Sequence, residues 1–208
     1  MAAAVASRLT WIPTSRAEAR LDAYRLVEAV QAGDIADAVT VQLARAESQG
    51  WDEVVRVLMF ARFVESYVVD LPSVDDEIAV LIKRCESDQD PVILALALAH
   101  RAERRLNSGS VLAQQEGDRD LARATAILET AQGGALELVT ALGACAGNYV
   151  ARDMWEIAEE LFTRAVELLP ECEIPQREPI IRVNRMYGLV ELGCAYREMD
   201  LVVCLSFE

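Results

Sequence analysis

Lysine is almost missing from this chain. Lys83 is the only one among 20 basic residues, and these face 34 acidic ones for a formal charge of −14. A phosphate backbone is held by clustered cations. The nearest thing to a cluster, Arg101, Arg104 and Arg105, is broken by Glu103. Neither nucleic acid nor an anionic membrane surface is therefore an expected partner, and the acidity serves solubility. Long hydrophobic runs are missing as well. Hydrophobic residues make up 53% of the chain, yet the longest unbroken apolar stretch is Val92–Ala99, far short of the roughly 20 residues a membrane-spanning helix needs.

Other absences narrow the chemistry. No two of the five cysteines (Cys85, Cys145, Cys172, Cys194 and Cys204) have the two-residue spacer of a zinc or redox motif. An odd number lying largely within helical patterns reads as small buried hydrophobes in a reducing cytoplasm. There is no phosphate-binding loop, no dinucleotide glycine pattern after a strand and no metal-ligand spacing. The single histidine, His100, sits on an alanine-rich stretch and reads as a packing residue rather than a catalytic base. The acids Asp75, Asp76 and Glu77 fall at a helix start, where carboxylates favour the dipole. The expectation is a non-enzyme without cofactor or metal. The first 14 residues carry no charged region ahead of their small apolar stretch, so no secretory signal is expected. Arginine in place of lysine, with abundant alanine, points to a GC-rich bacterial genome.

What is present is helical periodicity, with no strand alternation. A flexible segment is expected over 1–14 and one helical domain over 15–208. Its first helix starts near Ser15, and Gly33-Asp34 interrupts it with Asp34 as a cap. The second helix stops at Gly50, and the third, from Trp51, is apolar on more than one side. Ser73 followed by Asp76 resembles a capping box, and Pro91 suits an early helical position. The stretch "LNSGSVLAQQEGDRD" reads as a long exposed loop or an interrupted helix, with helix resuming near Leu121. Gly133-Gly134 and the prolines Pro170, Pro175 and Pro179 mark further breaks before a last helix over about 180–198. Helix pairs restart near Trp51, Pro91, Ala135 and Ile180. Steps of about 40 to 45 residues fit stacked hairpins, none of which buries its apolar face alone.

In "LGACAGNYVARDMWEIAEELFTRAVELLP", small residues recur among bulky ones. Helix axes approach closely only where side chains are small, and the remaining space must be filled by large ones. Leu142, Cys145, Ala146 and Tyr149, then Ala158, Phe162, Ala165 and Pro170, have a spacing that resembles the tetratricopeptide repeat, over residues 139–172. Leu142 stands where that family has Trp, and Cys145 where it has Leu. Leu189, Leu192, Gly193 and Tyr196 repeat the first-helix spacing, so 180–208 resembles a partial or terminal repeat and 15–132 a set of degenerate ones.

The resemblance implies an all-α right-handed solenoid of about nine to ten helices, whose first helices line a concave groove for a protein or peptide. Its groove-facing positions fall on Thr140, Gly143, Gly147 and Val150, and on Tyr187, Val190, Cys194 and Arg197. Members that clamp a chaperone's carboxylate tail use lysine, asparagine and arginine there; Gly143 and Gly147 disfavour that partner. A shallow neutral groove suits an apolar peptide or a partner helix. The apolar end, with Val202, Val203, Leu205 and Phe207, is expected to dock on a second copy or on a fused domain. Two rival expectations are a sensory region of a bacterial signalling protein, such as a GGDEF diguanylate cyclase or a transcriptional regulator, and a helical domain that binds a small molecule.

Overall fold

A computed structural model describes residues 15–31, 37–68 and 73–172 of the chain. Eight α-helices and a short 3-10 turn account for most of them, and no strand occurs among the described residues. None of their helices is long and apolar enough to cross a membrane. The chain separates into two compact units between Ile93 and Leu94. Asp34, the helix expected over 180–198 and the apolar end all lie outside the described residues.

The first unit holds α1 (Arg16–Gln31), α2 (Asp37–Gln49), α3 (Asp52–Val68) and α4 (Val74–Asp88). Its centre is α3, which packs against α1, α2 and α4 in turn. The sequence of α3 explains this: Val54, Val55, Val57, Leu58, Phe60, Ala61, Phe63 and Val64 are all buried, so the helix is apolar around most of its girth. Gly50 closes α2 in the left-handed region, with φ +66. The Trp51 N–H reaches back to the Ala46 carbonyl at 3.0 Å, satisfying a carbonyl the helix end would leave open.

A chain of charges fastens α3 to α4. The Arg56 guanidinium donates to Asp90 Oδ2 at 2.7 Å and Asp88 Oδ2 at 2.9 Å, while Arg84 donates to Asp88 at 2.7 Å and Asp52 at 2.8 Å. Asp90 Oδ1 also accepts the Ile93 N–H at 3.2 Å, capping the helix that Pro91 begins. The expected capping box at Ser73 does not form. Ser73 has helical φ and ψ (−78 and −7) and makes no side-chain bond to the backbone. Its hydroxyl lies 3.4 Å from Glu77 Oε1, whose other oxygen accepts from the buried Ser66 at 2.8 Å. Glu77, not Asp76, is the acid that engages Ser73.

The division falls within α5 (Pro91–Leu106), and the second unit continues with α6 (Val111–Thr130), α7 (Ala135–Val150), α8 (Trp155–Leu168) and the 3-10 turn Leu169–Glu171. Here the expected long loop is a correction. Only Asn107–Ser110 separates α5 from α6, and α6 starts ten residues before Leu121, at Val111. Ser110 caps it, its Oγ accepting the Ala113 N–H at 3.4 Å. Gly117, which reads as a breaker, is buried mid-helix because α5 passes too close for a side chain. A Cβ there would meet Leu106 Cγ at 3.0 Å, the Ala102 carbonyl oxygen at 3.1 Å and Arg105 Cβ at 3.1 Å. Beside this crossing, Asp120 accepts both Arg101 Nε and Nη2 at 2.7 Å and Arg105 Nη1 at 2.6 Å.

The closest pairing in this unit is α7 with α8. Leu142, Cys145 and Ala146 of α7, and Ala158, Phe162 and Ala165 of α8, are essentially inaccessible, and Tyr149 is buried. Pro170 sits exposed in the 3-10 turn. Arg164 Nη2 donates to the Leu128 carbonyl at 2.8 Å, holding α8 to the end of α6. Leu189, Leu192, Gly193 and Tyr196 lie outside the described residues.

Candidate functional site

The candidate site is a groove between α5 and α7. On α7 and the turn that follows it, Gly143, Gly147 and Ala151 recur every fourth residue, and Ala144, Asn148 and Arg152 form the adjoining row. Such rows lie on one helical face. Across from them stand His100, Glu103, Leu106 and Asn107 at the end of α5. Together they line an open groove of about 400 Å³.

Glycine opens the floor. At Gly147 nothing lies within 4 Å of the place a Cβ would take, the opposite of Gly117. One polar side chain crosses the floor. Asn148, 8% exposed, donates its amide to the Ala99 carbonyl at 3.1 Å and the Ala144 carbonyl at 2.9 Å, tying α7 to α5. The walls are charged. His100 Nδ1 lies 3.2 Å from Glu103 Oε2, and Arg152 Nη2 donates to both Asp118 oxygens at 3.0 and 3.2 Å.

Of the groove positions implied by the tetratricopeptide resemblance, Gly143 and Gly147 line this groove. Thr140 does not: it is buried and its hydroxyl donates to the Leu136 carbonyl at 2.7 Å. Val150 is half-buried and not among the lining residues. Tyr187, Val190, Cys194 and Arg197 lie outside the described residues. Sequence reasoning missed Glu103, Asn107, Asn148 and Arg152; His100, read as a packing residue, is partly buried and also lines the groove. A usable signal was Asn148 itself, the single strongly polar residue between Thr140 and Ala151.

The groove's neighbours are chemically quiet. Burial pushes the thiol of Cys145, on α7, up to about 12, so its nucleophilic thiolate is scarce at neutral pH. Burial also raises the Tyr149 phenol, whose oxygen is 3.2 Å from the Thr125 hydroxyl. Among the described residues no cluster of three or more His, Cys, Asp or Glu is placed to hold a metal ion. Protein-family models, curated proteins and solved structures contain no match to the chain.

Proposed function

We propose that this chain is a non-catalytic helical scaffold that holds a partner protein in the groove between α5 and α7. The observation that carries the reading is the groove itself: about 400 Å³, floored by glycine and walled by polar side chains. A tetratricopeptide-like plan supports it. Hairpins α5/α6 and α7/α8 begin at Pro91 and Ala135, their first helices line the groove, and small residues occupy the α7/α8 interior. Within the first unit, α3/α4 repeats the hairpin. The setting we infer is a bacterial cytoplasm, supported by the arginine-dominated basic residues and by three free cysteines, Cys85, Cys145 and Cys172.

The test is affinity capture from a bacterial lysate with the full chain and with its Gly147→Leu variant. The space around Gly147 lets leucine enter the groove without disturbing the helix. Proteins identified by mass spectrometry with the parent and lost with the variant support the reading. Identical recoveries would count against it.

A further inference from the structure

We draw no further inference here: the strongest candidate, the exposed apolar surface patch that Val111 and Leu112 form on the first turn of α6, carries none because nothing in the structure shows what covers it.

Discussion

The α5/α6 crossing and the α5/α7 groove share one helix, and both place glycine against it, with opposite results. At Gly117 three atoms stand within 3.1 Å of an added Cβ; at Gly147 there is none within 4 Å. The first glycine lets two helices close, and the second leaves open the space its side chain would have taken. Polar chemistry follows the same division. Asp120 at the crossing has its carboxylate filled by Arg101 and Arg105, whereas Asn148 in the groove spends its amide on the Ala99 and Ala144 backbone carbonyls. A small residue in a helix is thus not one signal but two, and only its surroundings say which.

The sharpest way to break this comparison is Gly117→Leu. The Ala102 carbonyl oxygen at 3.1 Å is backbone and cannot retreat as a side-chain tip would. Overpacking should cost about 3 kcal/mol, the upper part of the usual range, read as a lower urea midpoint at unchanged slope. A midpoint equal to the parent's would mean that α5 and α6 do not close there. Asp120→Ala comes next. It removes a carboxylate from two guanidiniums that are only 22% and 31% exposed, and should cost about 2 kcal/mol, less than a fully buried pair because water still reaches them and Arg105 keeps Glu116 at 3.3 Å. Adding Arg101→Met to that variant should restore part of the loss; failure to do so would show that the network contributes through packing alone.

Gly147→Ala should move in the other direction. Alanine fills open space in a helix interior and restricts the unfolded chain, so stability should rise by about 0.5–1 kcal/mol. A loss on the same urea titration would place an unseen neighbour over the groove floor.

How far these two places could be read beforehand follows from the same physics. Periodicity located α1, α3, α4, α7 and α8 closely, because each carries a continuous apolar face that must be buried. It failed at the start of α6. Asn107, Ser108, Gly109, Ser110 and Gly117 have loop composition, but Ser110 is there as a cap and Gly117 as a packing position, and only the neighbouring helix tells a breaker from a close contact. The groove was half visible. Gly143 and Gly147 were reached only through the tetratricopeptide resemblance. Thr140 turned inward because its hydroxyl can satisfy itself on the Leu136 carbonyl. Asn148, Glu103 and Arg152 could not be joined to one site without knowing that α5 and α7 are neighbours.

The smallest effect belongs to the first unit and extends the comparison to a charge network that water can reach. Hydrogen bonds from Arg84, opposed by partial burial and aided by Arg56, hold the Asp88 carboxyl below its ordinary 3.8. A folded-state value below the unfolded one means that the folded state binds fewer protons in that range. The carboxylate's contribution is therefore complete above the unfolded value and is lost as pH falls through the folded one. Melting temperature should decline on acidification below about pH 4, and Asp88→Asn should flatten part of that decline while lowering the plateau near neutrality. High salt should shrink the difference between parent and variant, because these side chains are partly exposed. In the second unit Asp120, only 10% exposed and bonded to two arginines, should hold its contribution under the same salt. Equal salt sensitivity of Asp88→Asn and Asp120→Ala would erase the distinction between a surface lattice and a packed crossing.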